Sequence, residues 1–193
     1  MNNFTGSKTL RILSSLLTIV ILSTALLISG CSKDKSDDNP LDTGNGGIGG
    51  NTSSNSITLN GGGYTNKTVN FNISVGAYIA SENLTAVMMS GVSGSDSVFV
   101  GLSTSGNATG TFDWEDYTSE TSKTYVIVRV GGLTNPNATV LISPLGTGKT
   151  IVTGYGSIGQ NIAGTFSGTL LRYSDQSQIT VTGKFSALRS ANE

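Results

Sequence analysis

Three carboxylates and three aromatic rings fall within six residues in the stretch FDWEDY, Phe112 to Tyr117. Asp113, Glu115 and Asp116 could supply oxygen ligands to Ca2+, which takes roughly six to eight of them. Their spacing matches no calcium-loop signature. An exposed Trp114 with Tyr117 and the neighbouring acids could instead stack on a sugar ring and hydrogen-bond its hydroxyls, with Tyr125 a further candidate binding ring. The competing reading is a strand end. Alternation puts Phe112 and Trp114 on one face, in the core, and leaves the acids in solvent.

A second stretch, SPLGTGKTIV, contains GTGKT and invites a phosphate-binding loop. That loop needs a glycine five residues before Gly148, so that successive amides wrap the phosphate, and a helix after it. Position 143 is Ser, and TIVTGYG reads as a strand, so a hairpin turn is expected and a nucleotide ligand is not. Glycoside hydrolysis would need two acids held about 5–10 Å apart across a cleft. Residues 56–193 contain eight acids, and nothing in their spacing selects a pair. The chain has no His, which removes the commonest general base and transition-metal ligand. No nucleophile motif is present, and no catalytic residue is expected.

Charged residues make up only 12% of the chain, against roughly 25% in an average soluble domain. Residues 1–30 hold two of the 11 basic groups and no acid, so the remainder carries nine basic and 12 acidic groups, a net of −3. No basic patch stands out, and a nucleic-acid partner is not expected. Glycine is abundant, at 26 residues, and proline scarce, at 3. A chain punctuated by turn formers, with few charges, suits many short strands better than long helices.

The elements that must carry these residues are legible from Ser56 onward. TVNFNI places Val69, Phe71 and Ile73 against Thr68, Asn70 and Asn72. TYVIVRV places Val126, Val128 and Val130 against Tyr125, Ile127 and Arg129. NIAGTFSGTL sets Ile162, Phe166 and Leu170 against Thr165, Ser167 and Thr169, and QITVTGKFSAL sets Ile179, Val181 and Phe185 against Thr180, Thr182 and Lys184. Period two with β-branched residues marks half-buried strands with solvated hydroxyl faces. Turn signals such as NGGGY, VSGSDS, GGLTNPN and RYSDQSQ recur about every ten residues. The expectation is all-β, with roughly nine to eleven strands: an antiparallel β-sandwich, with an up-and-down barrel as the alternative.

The N-terminus has a different character. MNNFTGSKTLR is short and polar with two positive charges, and ILSSLLTIVILSTALLISG is apolar with small hydroxyl residues. A charged start, an apolar run and small residues before a cut site make a secretory signal; a retained transmembrane helix is the alternative. LISGC resembles the lipobox of bacterial lipoproteins, with Ile28, Ser29, Gly30 and the chain's one cysteine, Cys31. The resemblance implies cleavage before Cys31, a diacylglycerol on its thiol and acylation of the new amine. Two or more chains hold a protein firmly where one does not. SKDKSDD directly after it resembles the surface-export signal of lipoproteins in Bacteroidetes, and implies passage to the outer face of the outer membrane. TGNGGIGGNTSSNS then reads as a flexible linker. At about 5–6 Å × √n, some 25 residues reach roughly 25–30 Å.

The tail GTFSGTL … VTGKFS resembles the C-terminal strand pair of secreted and lipid-anchored bacterial β-domains, and GNATGTFDWEDYTSETSKTYVIVRV sits where that pattern carries a Gly-Thr-aromatic strand, an acidic or polar turn and a long apolar strand, so the likeness spans much of residues 105–189. It implies fold and envelope location and transfers no catalytic residue. DSV at Asp96–Val98 resembles the short O-glycosylation motif of Bacteroidetes, with Ser97 as acceptor; a loop entering a strand is the alternative. The organisation expected is therefore a cleaved leader (1–30), a lipidated linker (31–55) and one β-domain (56–193). The function expected is a non-catalytic binding or adhesion module for a glycan or protein. A structural or assembly component docking by a sheet edge and a glycan-active enzyme using paired carboxylates are the competing classes. The acyl anchor at Cys31 ties the chain to the membrane, and no other cofactor is expected apart from the Ca2+ candidate.

Overall fold

Alternation along the chain produces ten strands and, among the described residues, no helix. The structure is a computed structural model and describes residues 55–192. The leader, Cys31 and residues 32–54 lie outside the described residues. The strands are β1 (Ser56–Gly61), β2 (Tyr64–Ile79), β3 (Leu84–Ser93), β4 (Asp96–Ser105), β5 (Gly110–Asp113), β6 (Tyr125–Val130), β7 (Thr139–Ile142), β8 (Gly148–Tyr155), β9 (Asn161–Arg172) and β10 (Gln178–Asn192). The GTGKT stretch opens β8, as its β-branched continuation requires.

The sheet closes on itself. Around the ring the order is β1, β2, β3, β4, β6, β7, β9, β10, and β10 returns to β1. β8 and β5 branch from β9: Ile162–Gly168 pair with β8, which pairs in turn with β5, while Leu171 and Arg172 pair with β7. Neighbours are antiparallel except where Leu188–Asn192 of β10 run parallel to Val75–Tyr78 of β2. This corrects the expected sandwich to an eight-stranded barrel. The period-two pattern is common to both, because each buries one face of every strand. What decides is the reach of β10. Its first half pairs with β1, and beyond the end of that short strand its second half meets β2 directly. Bulges at Leu59/Gly61, Phe71/Ile73, Val152/Gly154 and Arg189/Ala191 add the local bend and twist that closure needs.

The interior is packed by Val87, Met89, Val100, Leu102, Val126, Val128, Leu141, Ile162, Phe166, Leu170, Ile179, Val181 and Phe185, with Ile57, Leu59 and Val69 from the first hairpin. The closing hairpin of β9 and β10 explains the repeated Gly-x-Phe spelling. Phe166 lies opposite Gly183, and Phe185 opposite Gly164. A Cβ at either glycine would collide with the facing ring, so each phenyl lies across a residue that has no side chain. The two rings sit 6.5 Å apart, tilted by 34°. At the turn between these strands, Asp175 Oδ1 accepts from Ser177 N (3.0 Å) and Ser177 Oγ (2.6 Å), and Arg172 Nη1 donates to Oδ2 (2.8 Å). The Ser177 hydrogen bonds, helped by Arg172, hold the Asp175 carboxyl at about 2, below its ordinary value.

One expected face assignment fails. Val69 and Phe71 point inward, but the pairing slips between Phe71 and Ile73, and Ile73 is 57% exposed. A one-residue slip sends the following side chains to the other face. The outer surface consequently has two characters. On β1, β9 and β10 it is hydroxyl-rich. On the middle strands, Ala86 and Met88 of β3, Phe99 of β4 and Ile142 of β7 are buried yet do not belong to the interior cluster.

Candidate functional site

The FDWEDY stretch leaves β5 and crosses into the loop before β6. Trp114 N donates to Gly148 O and Trp114 O accepts from Gly146 N, both at 2.8 Å, which fixes the chain beside the start of β8. The indole then turns into the barrel and is 1% exposed. It covers Gly148 and Gly168, where a Cβ would overlap its six-membered ring, and its Nε1 donates to Thr150 Oγ1 at 3.0 Å. A buried indole needs such an acceptor. Trp114 is thus corrected from a candidate sugar platform to a core residue. Gly148 and Thr150 of the GTGKT stretch are its packing floor and its acceptor.

Two of the three carboxylates build the loop. Glu115 Oε2 accepts from Lys123 N (2.5 Å), and Glu115 N donates to Thr124 O (2.7 Å). Asp116 Oδ1 accepts from Thr118 N (2.9 Å) and Thr118 Oγ1 (2.8 Å), an Asx turn. Asp113 is exposed on β5, opposite Lys149. Among the described residues no three acidic, His or Cys side chains gather as a metal cluster, so the Ca2+ candidates are not brought together.

Tyr117 and Tyr125 do meet, edge to face, with ring centroids 5.2 Å apart and planes at 79°. Tyr125 stands on the outward face of β6 in line with Ile127 and Arg129, and the loop carries Tyr117 over it. Ser103 Oγ donates to Lys123 O (2.6 Å) and Tyr117 N to Ser143 O (3.1 Å), anchoring that loop against the barrel. Burial pushes the Tyr117 phenol up, with Arg129 opposing. Burial also pushes Tyr125 up to about 12, helped by Tyr117 and Glu82 and opposed by a hydrogen bond with Ser103. Both phenols are therefore protonated at ordinary pH.

Ser97 is exposed at the start of β4, and its carbonyl accepts from Gly131 N (2.9 Å) and Gly132 N (3.0 Å). The neighbouring Asp96 pairs with Lys67 at 3.1 Å. The hydroxyl of the DSV triplet thus lies on a firmly held strand end.

Two arrangements escaped the sequence reading. Inside one end of the barrel, Thr85 Oγ1 donates to Gly106 O (2.7 Å) and accepts from Tyr155 OH (2.7 Å), and the Arg189 guanidinium lies 4.9 Å from the Tyr155 ring centroid. The only signal was a Thr inside the apolar run LTAVMM. The second arrangement is on the outside. Thr68, Thr58, Thr182, Ser167, Lys149 and Asp113 are successive register partners across β2, β1, β10, β9, β8 and β5. All are exposed except half-buried Thr58, and the Thr58 and Thr68 hydroxyls are 3.1 Å apart. At about 4.8 Å per strand the row is roughly 24 Å long. Asn60, Thr180 and Thr169 form a parallel row on one side, and Asn70, Ser56, Lys184 and Thr165 one on the other. Each strand was legible alone; the rows depend on register between strands distant in the chain.

Comparison with family models, with curated proteins and with solved structures finds no match to this chain.

Proposed function

We propose that this chain is a lipid-anchored cell-envelope protein, displayed on the outer face of the outer membrane, whose barrel is a non-catalytic glycan-binding module. The observation that carries the reading is the set of hydroxyl rows on β1, β2, β9 and β10. They present closely spaced donors and acceptors on a face with few charges, matched in kind to the hydroxyls of a sugar chain. The barrel interior is filled by its own side chains, which leaves recognition to the outside.

The named rows carry no aromatic ring, so hydrogen bonding rather than stacking holds the ligand. Exchanging hydrogen bonds with water yields little net energy per contact, and single-site affinity is weak. Many copies tethered on one membrane raise the avidity without any new contact.

The test displays the soluble protein, starting after Cys31, multivalently on a glycan array. Retention of one glycan class, lost when Thr58, Thr182 and Ser167 are changed together to Ala, is the expected result. Retention that survives the triple substitution removes this face from the proposal. An empty array, with an envelope protein recovered in a pull-down, changes the ligand class to protein. The anchor is tested separately: Cys31→Ala abolishes acyl labelling and releases the protein from membranes, and continued labelling would overturn the lipid attachment.

A further inference from the structure

We draw no further inference here: the strongest candidate, the outward row of register partners Val75, Met88, Gly101, Ile127 and Ile142 across β2, β3, β4, β6 and β7, is an apolar sheet face, and nothing among the described residues shows what covers it.

Discussion

Replacing Gly183 by Ala adds one methyl group at the point where β10 passes beneath the Phe166 ring. The new Cβ would lie 2.5 Å from Phe166 Cε1 and 2.8 Å from Cε2, and nearer still to Cζ. Carbon–carbon contacts are comfortable at about 3.5–4.0 Å, so the ring must retreat by roughly 1 Å. It has little room, being 2% exposed with Phe185 tilted against it. Overpacking of this kind costs about 1–3 kcal/mol. Gly183 has no positive φ, so Ala meets no backbone strain there and recovers about 0.4–1 kcal/mol through a less mobile unfolded chain. The net expectation is a loss of about 1–2 kcal/mol, or roughly 3–8 °C in Tm for a domain of this size.

Trp114 is the chain's one tryptophan, and its burial in the same barrel makes its fluorescence a direct reporter of urea unfolding. A double-mutant cycle separates the steric effect from a general weakness of the strand. Phe166→Leu removes the ring atoms in the way, so the pair should be less destabilised than the two singles added together, by about 1 kcal/mol or more. An unchanged unfolding midpoint for Gly183→Ala, or strict additivity in the cycle, would refute the account of the Gly-x-Phe repeat as an interlocked pair.

Two further outcomes follow from the same core. Trp114→Phe keeps a ring over Gly148 and Gly168 but leaves the buried Thr150 hydroxyl without its indole donor. It should cost about 1–3 kcal/mol, and adding Thr150→Val should recover part of that; a Thr150→Val change that deepens the loss would contradict the assignment. Tyr125 is held up to about 12 from its ordinary 10.0, so the native state keeps its proton where the unfolded chain gives it up. Its contribution to stability is full below about pH 10 and is lost as pH rises from there to about 12. Tyr125→Phe should flatten that part of the alkaline unfolding curve, and phenolate absorbance that titrates fully near pH 10 with the fold intact would be the contrary result.

The strands were legible because each strand's own residues declare which face is buried. Phe166 against Ser167, or Val181 against Thr182, needs no knowledge of the rest of the chain. Closure was not legible, because it depends on which edge Leu188–Asn192 of β10 meet, and that is settled by where β1 begins, since β10 runs antiparallel to β1 and past Ser56. The glycines held part of the answer. Gly164, Gly168 and Gly183 sit inside apolar strands, where a glycine weakens a strand unless a bend or a close approach requires it. Reading them as floors for Phe185, Trp114 and Phe166 would have strengthened the core placement of Trp114 that alternation already offered. Ile73 was misplaced for a related reason: an extra residue on one strand changes the face of everything after it, and nothing in TVNFNI marks where the partner slips.

The same reasoning bears on why the residue types that first suggested chemistry turn out to be structural. A sheet curled into a barrel bends most where its strands bulge or exchange partners, and the β5–β8–β9 branch is such a place. The chain leaving β5 must turn away from a sheet edge while its amides still require acceptors. Glu115 and Asp116 supply them, and Trp114 fills the space that Gly148 and Gly168 leave beneath the branch. Packing and backbone hydrogen bonding thus suffice to gather acids, an indole and glycine-rich turns at one point. The rows of Thr and Ser on β1, β2, β9 and β10 have little such duty: apart from the Thr58–Thr68 contact and the Thr68 hydroxyl on Asn66 O, they lie on ladder that holds together through its backbone. A surface whose composition the fold does not dictate is where recognition can be varied at little cost to stability. That is why the hydroxyl face, rather than the denser FDWEDY cluster, is the part of this barrel to test against ligands.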